Sequence, residues 1–116
     1  MRGRWPGYGD HLRAAVLTSP AAALPPEIGE ELRRIARRWH ELPAPRAAAS
    51  APDLRALAQS LADEVRVASG RWSVPLPDLG AATLLDQLRV TVYDATAAGQ
   101  TDGLADRLRA LRRAIG

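Results

Sequence analysis

The segment from Asp78 to Gly99 constrains the fold more than any other part of the chain, because it leaves little room for a polar face. Its apolar residues form one continuous stripe at helical spacing, and apolar surface extends around most of the remainder through Leu79, Ala81, Ala82, Val90, Tyr93, Ala97 and Ala98. A helix of this kind has to be covered by neighbours on most sides. The sequence therefore predicts a central helix over residues 78–99. The stripe consists of Leu84, Leu85, Leu88, Val92 and Ala95.

Both ends of this helix are marked by residues with suitable chemistry. Asp78 can accept hydrogen bonds from the first-turn amides as an N-cap, and Gly99 can adopt the left-handed conformation that ends a helix. A narrow polar side carries Asp86, Arg89 and Asp94. We expect these charges to face solvent, with a cleft or a buried ion pair as the alternative.

Three further segments each carry a single apolar stripe. Residues 27–42 form the clearest amphipathic pattern, with prolines before it and carboxylates in its first turn. Residues 53–70 repeat the pattern, with Asp53 as the expected N-cap and Gly70 as the end, and residues 101–115 complete the set. The main stripe residues are Ile28, Leu32, Ile35, Ala36, Trp39, Leu54, Leu57, Ala58, Leu61, Val65, Leu104, Leu108, Leu111 and Ile115.

Two segments lack helical periodicity. Residues 43–52 are rich in proline and alanine and are predicted to form a connector. Residues 71–77 are predicted to form an extended strap in which Trp72, Val74 and Leu76 pack against the bundle. The prolines deny the strap most ladder hydrogen bonds, so it is not expected to join a sheet.

These patterns predict an all-α, single-domain bundle of four to five helices. Residues 1–9 are expected to form a flexible basic N-terminal arm. Residues 10–116 form the bundle, with a shorter first helix starting at Asp10, the long central helix at about 78–99 and the Pro-rich extended strap at 71–77.

Composition excludes several classes of function. The chain of 116 residues has no cysteine, which excludes thiol catalysis, thiolate zinc sites and disulfide frameworks. No segment is apolar and long enough for a secretion signal or a membrane span. We expect a cytoplasmic protein that does not enter a membrane.

Arginine supplies every basic side chain, with 16 residues and a net charge of +3. Four arginines on one helix could bind phosphate groups or an acidic protein partner, because guanidinium groups match such oxygens bidentately. Neighbouring glutamates on the same helix favour a self-paired, solvated face over both of these roles. The arginines are Arg33, Arg34, Arg37 and Arg38, and the glutamates are Glu27, Glu30, Glu31 and Glu41.

The chemistry-bearing residues do not assemble into a catalytic pattern. His11 and His40 lie on separate predicted helices, and the spacing gives no reason for them to converge with a carboxylate. We therefore predict no enzyme activity, no cofactor and no metal site.

The leading hypothesis is a non-enzymatic helical interaction module that binds another protein or a second copy of itself. The candidate interface aromatics are Trp5, Trp39 and Trp72, since tryptophan is enriched at binding hot spots. The alternative is a nucleic-acid-associated protein that uses the arginine-rich face of the helix around residues 27–42.

Overall fold

The computed structural model describes residues 24–116, which contain four α-helices and no β-strand. The prediction of an all-α fold is confirmed for this part of the chain. The expected arm at residues 1–9 and the helix starting at Asp10 lie outside the described residues. The helices are α1 (Pro26–Glu41), α2 (Ala44–Ala68), α3 (Ala81–Ala97) and α4 (Leu104–Ala114).

Helices α1 and α4 pack side by side and run in the same direction. The carboxylate of Glu31, in the first half of α1, accepts a hydrogen bond from Arg112 in α4. Further along, the guanidinium of Arg38 donates to the main-chain oxygen of Gly116, just beyond the end of α4. Later residues of α1 therefore meet later residues of α4, as a parallel pair requires.

Helices α2 and α3 form the second closely packed pair. Near its C-terminal end α2 contacts the first turn of α4, where Arg107 pairs with Glu64 at 3.0 Å. Residues preceding α3 lie beside the middle of α2, where Arg55 pairs with Asp78 at 3.0 Å. Since α3 begins at that level and leads into the start of α4, it runs parallel to α2 and opposite to α1 and α4.

The core forms where the apolar stripes of the four helices pack against one another. The predicted stripe of α3 is buried along its whole length, as are the main stripe positions of the other helices except Leu57 and Val65, which are half-buried against the core. Burying each leucine or isoleucine of this kind stabilises the fold by about 1.5–3 kcal/mol. The largest side chains that are fully buried are Ile35, Leu54, Leu61, Leu84, Leu88, Val92, Leu104, Leu108 and Ile115.

The expected connector at residues 43–52 is wrong, because all but the first of these residues belong to α2. Pro52 lies inside the helix, where it removes one backbone hydrogen bond. Two effects offset that loss. Alanine has the highest helix propensity, and Ala47 and Ala51, four residues apart, pack against the core. Asp53 is consequently an interior residue of α2 and not its N-cap.

The two ends of α3 differ in how well the sequence predicts them. The helix starts later than expected, with Gly80 as N-cap, and the carboxylate of Asp78 accepts a hydrogen bond from the Gly80 amide at 3.2 Å. At the other end Gly99 adopts φ +74°, as predicted. The following amide, that of Gln100, donates to the Ala95 carbonyl at 2.8 Å, which closes a Schellman motif.

Coverage of α3 is less complete than its composition suggests. Its buried side faces the rest of the bundle, but Val90 is 57% exposed, and Ala81, Ala82 and Ala97 are also exposed. The long central helix is confirmed in outline, but within residues 24–116 only α2 lies along α3 over much of its length, so α3 is less covered than expected. Exposing these alanines costs little free energy because the side chain of each has a small apolar area.

A buried carboxylate joins α1 to α4. The side chain of Glu31 is only 4% exposed, and its oxygens lie 2.8 Å from Arg112 Nε and 3.3 Å from Arg109 Nε. Arg34 on α1 adds a third guanidinium at 3.6 Å. The hydrogen bond from Arg112 lowers the pKa of Glu31, against the opposing effect of burial. Glu31 therefore fixes the register of the parallel helices as an ionised group.

Replacing Glu31 by alanine should lower the free energy of unfolding by about 2 kcal/mol, because Arg109 and Arg112 lose a desolvated partner. Glu30→Ala is the matched control: Glu30 also contacts two arginines, but it is 42% exposed, so solvent screens these contacts and its loss should lower stability far less than the loss of Glu31. Urea denaturation measures both. Equal effects of the two substitutions would contradict the structural role of Glu31.

The pH dependence of this contribution follows from the lowered pKa of Glu31 in the folded state. The stabilisation is fully present above the unfolded carboxylate pKa of about 4.3, and it is lost as the pH falls through the folded value. The stability difference between the parent and Glu31→Ala should therefore shrink on acidification below that point.

Two glycines should respond oppositely to alanine. Gly29 lies inside α1, and an added Cβ would have ordinary contacts, 3.6 Å from Arg33 Nη1 and 3.9 Å from Leu24 Cβ. Gly29→Ala should raise the unfolding free energy by about 0.5–1 kcal/mol. Gly99→Ala should lower it by about 1 kcal/mol, because φ of +74° strains an L-residue. Thermal unfolding compares the two, and shifts of the same sign would contradict this assignment.

Candidate interaction site

The residues between α2 and α3, numbers 71–80, have no regular secondary structure and lead the chain back along α2; we name them the return segment. The side-chain amide of Gln59 in α2 forms hydrogen bonds with two backbone groups of the return segment. Nε2 donates to the Val74 carbonyl at 3.0 Å, and Oε1 accepts from the Leu76 amide at 2.7 Å. One side chain thus satisfies a carbonyl and an amide that a neighbouring strand would otherwise satisfy.

Further contacts hold the later half of the return segment. Arg55 of α2 pairs with Asp78, and Nε2 of Gln87 in α3 donates to the Pro77 carbonyl at 3.0 Å. Leu76 packs against the core. The return segment is therefore fastened to both helices of the second pair.

The first half of the return segment presents apolar side chains to solvent. Trp72 is 90% exposed and Val74 is 47% exposed, so of the three alternating residues expected to pack on the bundle only Leu76 does so. Leu79 and, in the last turn of α2, Val67 are exposed as well. A tryptophan that is 90% exposed leaves a large apolar area in water, and tryptophan is a residue enriched at interfaces.

The backbone on both sides of Trp72 is held in place. Before it, the Arg71 amide donates to the Arg66 carbonyl at 2.7 Å in the Schellman motif that ends α2 at Gly70. After it, the Val74 carbonyl accepts from Gln59. The exposed ring is therefore carried on an anchored backbone.

The other two tryptophans have different places. Trp39 is only 8% exposed and belongs to the core, so it offers no surface to a partner. Trp5 lies outside the described residues. Of the three candidate interface aromatics, the structure exposes Trp72.

The four arginines of α1 point in two directions. Arg34 contacts Glu31, and Arg38 contacts Gly116, so both turn toward α4. Arg33 and Arg37, one turn apart, line a groove on the other side of α1. The cluster is therefore two pairs and not one continuous basic face.

Three of these four guanidinium groups form ion pairs with glutamates of the same helix. Glu30 lies 2.7 Å from Arg33 and 3.0 Å from Arg34, and the Arg33 hydrogen bond is the main cause that lowers the pKa of Glu30. Glu41 lies 3.7 Å from Arg38. Within residues 24–116, Arg37 forms no ion pair.

The groove between α1 and α3 has a volume of about 670 Å³. On the α3 side its wall contains Arg89 and Tyr93, and burial raises the pKa of Tyr93 against the opposing charge of Arg89. A second groove of about 550 Å³ lies where α1 and α4 begin, and its lining includes Glu27 and Asp106. The sequence predicts Arg89 on the polar side of its helix, but no pattern in it indicates that this side faces α1.

The one histidine among the described residues lies apart from both grooves. His40 is exposed and lines neither groove, while His11 lies outside the described part. In residues 24–116 no three histidine or acidic side chains come together in a way that could hold a metal ion. Within the same range, none of the helices has the length and apolar character needed to cross a bilayer.

Gln59→Leu should release the return segment from α2. We expect the Leu76 amide to exchange with solvent about fivefold faster, because it loses a hydrogen bond worth about 1 kcal/mol. Amide hydrogen exchange measured by NMR tests this. Gln100→Leu is the control, since Gln100 is exposed beyond the end of α3 and, within residues 24–116, its side chain forms no hydrogen bond with the return segment. Unchanged protection of Leu76 in Gln59→Leu would contradict the anchoring role of Gln59.

The chain was also compared with known proteins. No protein-family model, curated protein or solved structure matches it. The geometry of residues 24–116 is therefore what supports a functional conclusion.

Proposed function

We propose that this protein is a non-enzymatic helical interaction module that binds another protein, or a second copy of itself, through a surface centred on Trp72. The observation that carries the proposal is the 90% exposure of Trp72 on an anchored backbone. Tryptophan is among the residues most enriched at binding hot spots, where removing one side chain weakens binding by about 2 kcal/mol or more.

Anchoring of the return segment favours binding for an entropic reason. A flexible loop loses conformational freedom when a partner orders it, and this loss lowers affinity. Here Gln59 and the Schellman motif at Gly70 already restrict the backbone around Trp72. The backbone around Trp72 is therefore already restricted before a partner binds, which lowers the entropy lost on binding.

Charge makes nucleic acid a weaker candidate than protein for this part of the chain. Residues 24–116 contain 13 arginines and 12 carboxylate side chains, so they are nearly neutral. Binding to nucleic acid depends on cationic side chains that neutralise phosphates. Three of the four α1 arginines also contact glutamates of their own helix.

Trp72→Ala should weaken self-association or partner capture without unfolding the domain. We expect binding to weaken about 30-fold, whereas stability should change by less than about 0.5 kcal/mol because the ring is exposed. Light scattering over a range of concentrations measures self-association. Quantitative affinity capture with parent and variant proteins measures association with other proteins.

Val90→Ala is the matched control, because Val90 is also an exposed apolar residue but lies on α3. It should bind like the parent protein. A parent protein that stays monomeric and captures no partner would overturn the proposal. Capture that is equal for the parent and Trp72→Ala would overturn it as well.

A further inference from the structure

The groove between α1 and α3 has an apolar floor. Leu24, Leu32 and Ala36 form this floor and are themselves buried in the core. Gly29 deepens the α1 wall because it has no side chain. The described residues thus leave an open apolar channel beside two antiparallel helices that make little direct contact with each other.

The rims of this groove are basic. Arg33 and Arg37 line the α1 side and Arg89 lines the α3 side. The one carboxylate among the lining residues of the described chain, Glu30, is already bonded to Arg33 and Arg34. Among residues 24–116 the one ion pair of Arg89 is a long contact of 3.4 Å with Asp86, and such exposed pairs are weak enough to exchange for a partner's carboxylate.

We propose that this groove binds an acidic amphipathic helix of a partner protein. Apolar side chains at helical spacing lie on the floor, and carboxylates on the flanks of that helix pair with Arg37 and Arg89. The groove follows α1 from Gly29 to Arg37, a rise of about 12 Å, which is the length of two helical turns. This surface is separate from the Trp72 surface and does not depend on it.

Charge complementarity favours this occupant over two others. The first 23 residues of the chain carry Arg2, Arg4 and Arg13 against Asp10, so they have the same sign of charge as the groove. Nucleic acid would meet an apolar floor with a single aromatic side chain, Tyr93, where base recognition uses stacking platforms. An acidic, apolar helix satisfies both the rims and the floor.

The test uses the full chain and a fluorescein-labelled synthetic helix of glutamate and leucine, with leucines spaced three and four residues apart. Fluorescence anisotropy should show binding. The double variant Arg37→Glu with Arg89→Glu should weaken it at least about tenfold, because both rims change sign. Gly29→Leu should weaken it similarly by filling the groove, and its helical backbone accepts a side chain.

Three controls make the outcome decisive. Arg66→Glu with Arg113→Glu changes the net charge equally away from the groove and should leave binding within about twofold of the parent. Trp72→Ala should also bind the peptide normally, which separates this proposal from the previous one. A scrambled peptide of the same composition should bind poorly. Circular dichroism verifies that each variant is folded.

Several results would overturn the proposal. These are no binding of the helical peptide by the parent protein, equal binding of the scrambled peptide, equal losses in the Arg66/Arg113 control, or unchanged binding by the groove variants. Tighter binding of duplex DNA than of the peptide, lost in the Arg37/Arg89 variant, would assign the groove to nucleic acid instead.

Discussion

The parallel course of α2 and α3 is the constraint on which much of this structure depends. A chain leaving α2 has to travel back along it before α3 can start in the same direction. The return segment covers the distance from Gly70 to the level of Arg55, about 22 Å along the helix axis, with ten residues that could extend to about 33 Å. Because the return segment is not helical, its backbone amides and carbonyls lack helical hydrogen bonds, and the side chains of Gln59 and Gln87 supply hydrogen-bond partners for some of them.

The same arrangement creates the two candidate surfaces. Anchoring the return segment at Val74 and Leu76 leaves Trp72 projecting into solvent beyond the anchored residues. Pairing α3 with α2, and α1 with α4, leaves a groove where the two pairs meet at α1 and α3. One surface is a single large aromatic ring, and the other is an apolar channel with basic rims, so the two suit different partner chemistry.

Arginine has several roles in this chain, which explains why its number alone says little about ligands. Arg109 and Arg112 enclose the buried Glu31 and connect α1 to α4. Arg55 holds the return segment. Arg37 and Arg89 line the groove. The guanidinium fork serves all three purposes because it combines a long apolar stem with several hydrogen-bond donors.

The sequence by itself determined the all-helical class, the buried stripe from Leu84 to Ala95 and the end of α3 at Gly99, because helical periodicity and glycine's left-handed conformation are local properties. It misjudged residues 43–52, where contacts of Ala47 and Ala51 with the core outweigh the proline signal. Only the tertiary structure decided that Trp39 is buried while Trp72 is exposed, and that Arg37 and Arg89 face one groove. These outcomes depend on which helices lie side by side, and periodicity within a single helix carries no information about its neighbours.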